Sequence, residues 1–384
     1  MTTWSVVKDD SGEKQRRKLI PRVALLACLA LVVVSLGIAL SPRSPEAPAE
    51  PPFSEQARSA ALAETLRLRA AGEALGRPAS GDAKPAVVQT VSLLTSQARA
   101  LLLPGQDVPV SPLPPAPATP SAGAQSAAPS ATPSGAPSSA PVPASAAALA
   151  AALADSAGQR LADAAVADGG MARLLAAVGT AQLLQASSLA AAAGAPAPAV
   201  PDPAAPQLSG ACPSAAAAPS STPVDVSSAS AGADTGAATL PGALAATVKT
   251  ELETVYGYQV SLTRLGGEAA ARASEQLAKH EALAAGAEAL SRIHCTPVPP
   301  REAGYTMAQD FLASPAAGLG GLEASTLAVY GDLVALSEGQ TRQWAIAGLV
   351  GAARRSALWG AETGALPGLV ADPAGFPELP APGP

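Results

Sequence analysis

Glu251, His280 and Glu323 are the residues of this chain whose types and spacing suit chemistry in a protein interior. Each lies in a stretch whose apolar residues recur at three- and four-residue intervals, the signature of an amphipathic helix. Glu251 shares a helical face with Leu244, Val248, Val255, Tyr258 and Leu262. His280 sits in the stripe made by Ala273, Leu277, Leu283, Ala284 and Ala287. Glu323 falls with Leu319, Leu327, Tyr330 and Val334. At about 100° per residue, two carboxylates and an imidazole turn toward one core. An unpaired carboxylate is expensive to bury, so these groups need partners. Two kinds of partner are open. A metal would make a three-ligand site for zinc, iron or manganese. Alternatively, Arg354 or Arg355 on a later helix would supply a guanidinium, pairing the carboxylates and setting helix register. The structural ion pairing is the preferred reading, and exposure of one or more of the groups is the third possibility.

Four helices must position them. The pattern predicts helices over about Pro241–Leu265, Glu268–Ile293, Gly318–Leu336 and Gly339–Gly360, with a shorter helical piece near Thr306–Ala313. Gly266-Gly267 and the Pro-rich loop Pro297–Gly304 separate them. Lengths near twenty and mostly short loops favour antiparallel packing. Eight of the ten aromatic residues lie beyond position 250, so the main core is expected there. Tyr256, Tyr258 and Tyr330 read as core residues whose hydroxyls reach the rim rather than as redox tyrosines, and Trp344 and Trp359 as core anchors.

Upstream, Ser54 is placed to cap a helix ending at Gly76, and Pro85 suits the first turn of a second helix running to Leu103. Ala144–Ala167 and Met171–Ala193 read as two Ala-rich helices broken at Gly169-Gly170. Two low-complexity stretches interrupt this part. Pro104–Pro143 holds twelve prolines, and Gly194–Thr239 is similar. Proline removes backbone donors, and alanine and serine bury little, so both read as extended spacers. Mingled Ser, Thr and Pro also suit a glycosylated stalk.

At the N-terminal end, Val23–Leu40 is eighteen residues without a charge, enough to cross most of a bilayer core. Lys14, Arg16, Arg17, Lys18 and Arg22 precede it, which sets the N-terminus in the cytoplasm and the bulk of the chain outside. A cleaved signal peptide, with Ala39-Leu40-Ser41 as the processing site, is one rival. A lipoprotein signal at Cys28 is another, weakened by the apolar run that continues past it. The other two cysteines, Cys212 and Cys295, would then lie in an oxidising compartment, where they are expected to form a disulfide. His294-Cys295 as a metal pair is a poorer reading, because adjacent residues chelate badly.

The formal charge of −6 gives no basic surface for nucleic acid. There is no Gly-rich phosphate loop, no Gly-x-Ser-x-Gly elbow and no His-Glu-x-x-His, so no enzymatic activity is expected.

Several pieces together resemble a family. They are Glu251 with Val255-Tyr256-Gly257-Tyr258, His280, Pro299-Pro300 with Gly304-Tyr305, Leu322-Glu323 with Val329-Tyr330, Ala353-Arg354-Arg355 with Trp359, and Ala365-Leu366-Pro367-Gly368. In order and spacing, residues 240 to 370 resemble a ferritin-like domain family of unknown function found in exported proteins of high-GC Gram-positive bacteria. The resemblance implies a ferritin-like four-helix bundle and no particular activity. Ferritin-like di-iron sites take a Glu from each of two helices and a Glu-x-x-His from each of the other two. Here position 277 is Leu, the fourth helix has no His, and its carboxylates, Glu338 and Glu362, stand at its ends.

The order expected is a basic tail (1–18), a transmembrane helix (19–41), a helical hairpin (53–103), a linker (104–143), Ala-rich helices (144–193), a second linker (194–239), the bundle (240–370) and a Pro-rich tail (371–384). The chain thus reads as all-α and anchored in the cell membrane by Val23–Leu40. Its role would be that of a structural or interaction module of the cell envelope, with an envelope protein or the cell wall as partner. The alternative is a metal-binding or redox protein using Glu251, His280 and Glu323.

Overall fold

Helix starts and stops follow local chemistry along most of the chain. The computed structural model describes residues 50–77, 81, 83–102, 142–198, 203–212, 238–369 and 372–379. Val23–Leu40, Cys28 and most of both proline-rich stretches lie outside them. The described residues form nine α-helices, a short 3-10 turn (Pro373–Gly375) and no strand. The helices are α1 (Phe53–Gly76), α2 (Ala83–Leu101), α3 (Ala146–Val166), α4 (Gly169–Ala192), α5 (Leu240–Leu262), α6 (Gly267–Ile293), α7 (Gln309–Ala313), α8 (Pro315–Leu336) and α9 (Gly339–Leu358).

Thr239 caps α5 by accepting from the Gly242 amide, and the proline that follows removes an amide that would have no helical partner. Pro315 likewise opens α8, one turn earlier than the apolar pattern suggests. α6 ends in a Schellman turn, with the Thr296 amide on the Ser291 carbonyl and Cys295 in the left-handed region (φ 56°).

Two local expectations are corrected. Ser54 does not cap α1. The helix starts at Phe53 after Pro52, and the Ser54 hydroxyl instead accepts from the Asp168 amide. Gly169-Gly170 is not a break but the first turn of α4. Asp168 caps that helix through the Met171 amide, and a side chain at Gly169 would run into the Ala335 carbonyl of α8.

Residues from Pro52 onward form one compact unit. α1 packs on α2 and α3 on α4, with Leu68, Leu94, Leu149, Leu153 and Leu189 fully buried among them. α5 packs on both α6 and α8, and α8 on α9. α4 joins the two sets by packing on α8 and α9. Arg173 of α4 donates to the Gly368 carbonyl at 2.7 Å and pairs with Asp332 at 2.6 Å. Gln97 of α2 donates to the Ala365 carbonyl at 3.1 Å.

α4 and α8 are long and apolar enough to cross a membrane by length and composition. Of their most apolar windows, 72% and 50% of residues are buried within the folded unit, which is how core helices behave.

Candidate functional site

Two carboxylates, one from α5 and one from α8, enclose the imidazole of α6. His280 is fully buried, and Glu251 and Glu323 are at most 1% exposed. The Nδ1 of His280 lies 2.7 Å from Glu251 Oε2, and its Nε2 lies 2.8 Å from Glu323 Oε1. The Tyr258 hydroxyl donates to Glu323 Oε1 at 2.6 Å, and the Tyr330 hydroxyl to Glu251 Oε1 at 2.7 Å. Arg355 of α9 donates from Nε to Glu323 Oε2 at 2.8 Å. Trp359 closes the chain by donating from its indole to the Tyr258 oxygen at 2.8 Å. The Tyr258 ring also stacks on the imidazole, with centroids 5.1 Å apart.

The sequence has a short repeat behind this arrangement. Glu251 and Tyr258 are seven residues apart on α5, and Glu323 and Tyr330 are seven apart on α8. Seven residues are about 10 Å along a helix, and the two side chains stay on one face. Each tyrosine bonds the glutamate of the other helix, so α5 and α8 run antiparallel with their Glu–Tyr pairs in matched register. The repeat is visible in the sequence, yet the expectation that these hydroxyls reach the rim is wrong. The Tyr258 and Tyr330 hydroxyls turn inward because both carboxylates need buried donors.

The polar groups of the site are matched donor to acceptor. An ionised carboxylate only accepts hydrogen bonds, so both contacts of His280 are satisfied when both ring nitrogens carry a proton. Burial alone would push the imidazole toward its neutral form. The hydrogen bonds and charges of Glu251 and Glu323 outweigh it and raise the pKa of His280 above its ordinary value. Burial would likewise raise the Glu323 carboxyl, but the His280 hydrogen bond and the Arg355 charge hold it below the ordinary carboxylate range. Burial and the neighbouring carboxylates push both tyrosine hydroxyls well above their usual value, so both stay protonated donors. Glu323 thus faces both an imidazolium and a guanidinium.

The same geometry bears on a metal. Glu251 and Glu323 approach opposite nitrogens of one ring, and the ring stands between them. The three side chains do not converge on a point where one ion could take all of them as ligands. Among the described residues no group of three or more His, Cys, Asp or Glu side chains is arranged to hold a metal ion. The donor set therefore does not fit a metal as it stands.

Of the two arginines, Arg355 reaches inward and Arg354 is exposed. Adjacent helical residues point about 100° apart, so only one of them can face the core. Cys212 and Cys295 form a disulfide, with Cα atoms 5.1 Å apart. His294 contacts the Thr341 hydroxyl at 2.8 Å through Nε2. Tyr256 packs its ring near that of Tyr305, away from the buried charges.

Fold and site thus define an all-helical domain whose interior is closed by a buried hydrogen-bonded network. Residues 243–371, a third of the chain, match the model of a family described as a domain of unknown function (DUF4439). That span contains every residue of the network. No curated protein and no solved structure is significantly similar to the chain.

Proposed function

We propose that this chain is a membrane-tethered, extracytoplasmic helical module without enzymatic activity, serving a structural or interaction role in the cell envelope. In this reading α5, α6, α8 and α9 form a ferritin-like four-helix bundle in which fixed protein cations replace metal. Val23–Leu40 holds the module at the membrane, and the proline-rich segments are spacers. One observation carries the reading: His280 spans two carboxylates on opposite sides of its ring, with Arg355 on the second. Such a network fills the interior with matched donors and acceptors and offers no open position for substrate. Its hydrogen bonds come from four helices, which suits a device that sets helix register.

The test uses the full-length chain. Purified without chelator, it is expected to carry iron, manganese and zinc well below one ion per chain. Glu323→Gln should lower unfolding stability by about 3–5 kcal/mol, equally with and without chelator, since it leaves Arg355 and His280 short of a buried partner. Stoichiometric metal that is lost on Glu251→Ala or Glu323→Ala would replace this reading with a metal-binding one. For the tether, the chain should stay with membranes through alkaline extraction, and its helical part should be open to added protease in intact cells. Release into the alkaline wash removes the anchor from the proposal.

A further inference from the structure

Segment 203–212 lies across the helices with no helix or strand of its own. Pro203 is a wall shared by two cavities. One, of about 390 Å³, is also lined by Leu161 and Ala165 of α3 and Ile346 of α9. The other, of about 220 Å³, is also lined by Leu283 of α6 and by Trp344 and Val350 of α9. Further along, Leu208 packs against the main core cluster and Gly210 lies beside Ile293 of α6. Two ties fasten the segment. Ser209 exchanges two hydrogen bonds with Gln340, amide to Oε1 at 3.2 Å and Nε2 to carbonyl at 2.6 Å, and this pair is open to solvent. The second tie is the Cys212–Cys295 disulfide, which spans 83 residues of chain and joins two exposed cysteines. Cys295 holds its position against backbone preference. It is the one non-glycine among the described residues with a positive φ (56°), at the end of α6 where glycine is the easiest residue to place. What cysteine adds there is its sulfur.

We propose that Cys212–Cys295 is a redox latch: reduction by a dithiol donor frees segment 203–212 from α6 and α9 and joins the two cavities it divides into one apolar trough. A thiolate of the donor attacks one sulfur of the exposed bridge, forming a mixed disulfide and expelling the other cysteine as a thiolate. The donor's second thiol then closes the donor's own disulfide and releases the remaining cysteine. Two electrons and two protons pass to the chain, which ends with two thiols, and the donor ends as a disulfide. The bridge matters because the other contacts are weak. Ordering ten residues of backbone costs conformational entropy, and the bridge reduces that cost by holding one end of the segment in place. Without it, the solvent-exposed Ser209–Gln340 pair competes with water for the same hydrogen bonds. No residue of the segment belongs to the network around His280, so the helices keep their own packing when it leaves. The latch goes beyond the structural role proposed above and does not rest on it.

Dithiothreitol is the probe, added to the oxidised full-length protein under native conditions. Alkylation of parallel samples, with peptide mass mapping, shows when Cys212 and Cys295 are free. Hydrogen exchange read by mass spectrometry is expected to quicken about tenfold or more over residues 203–212, while α5 and α8 keep their protection. Fluorescence of an added apolar dye should rise as the trough opens, and reoxidation should reverse both changes. Cys295→Gly keeps the backbone conformation that ends α6 but cannot form the bridge. It should match the reduced wild type and give no response to dithiothreitol. Unchanged exchange over 203–212 once both thiols are free overturns the proposal. So does a bridge that dithiothreitol opens only after the protein unfolds. Loss of protection throughout α5 and α8 in both the reduced protein and Cys295→Gly also overturns it, since the bridge would then be a staple of the whole fold. None of these outcomes alters the metal content or the response to Glu323→Gln, so the two readings fail separately.

Discussion

At the scale of single residues, His280 and Glu323 give stability opposite dependences on pH. The folded chain raises the pKa of His280 above its ordinary 6.5, so the stability it adds is fully present below that value. It is lost as pH climbs through the raised folded value. Glu323 is shifted down from its ordinary 4.5, so its contribution is present above that value and is lost as pH falls through the lowered one. Together the two groups contribute fully between about pH 4.5 and 6.5. The urea midpoint of the wild type should therefore decline on the alkaline side of that window, and His280→Gln should flatten that decline. A wild-type midpoint that keeps climbing from pH 7 to pH 9 would show that His280 is not held as an imidazolium.

Between elements, the crossing of α8 on α9 depends on a missing side chain. The ring of Tyr330 occupies the space beside Gly348, where an added Cβ would lie 2.1 Å from its Cε1. This close approach lets Tyr330 lie flat enough to reach Glu251 on α5. Gly348→Ala should cost about 1–3 kcal/mol in urea unfolding, because the ring must shift against a packed core. Gly321, on α8, has nothing within 4 Å of a built Cβ. Gly321→Ala should leave stability unchanged or raise it by up to ~1 kcal/mol through helix propensity alone. Two glycine-to-alanine changes in neighbouring helices should thus differ in sign.

For the whole molecule, the matched family span does not stand apart from the rest. Leu175, Val178 and Leu183 of α4 are buried in the same core cluster as Leu333, Val334 and Leu349. Arg342 of α9 donates from Nε to the Val334 carbonyl at 3.1 Å and from its fork to the Ala167 carbonyl, so the α3–α4 turn is tied to the α8–α9 turn. A fragment of residues 238–379 should therefore be less stable than the full chain by roughly 3 kcal/mol or more, since each buried leucine it exposes is worth about 1.5–3 kcal/mol. Comparing urea midpoints of the two measures this. Equal midpoints would mean that α1–α4 are passengers.

The helices themselves were legible in the chain, because apolar spacing, Pro241 and Gly76 are local signals, and local signals act through the backbone of the same few residues. So was the clustering of Glu251, His280 and Glu323 on inward faces, since helical phase follows from sequence spacing alone. Other features depend on distance between helices far apart in sequence. Ser54 looks like a cap until Asp168 arrives to use its hydroxyl. Tyr258 and Tyr330 look like rim residues until antiparallel register sets each against the other helix's glutamate. Whether Arg354 or Arg355 turns inward hangs on how α9 rotates against α8, which the flat surface of Gly348 permits. Periodicity tells a residue which side of its own helix it occupies. Only packing tells it what stands opposite, and for buried charge it is the opposite partner that determines protonation, and with it whether the site can take a metal.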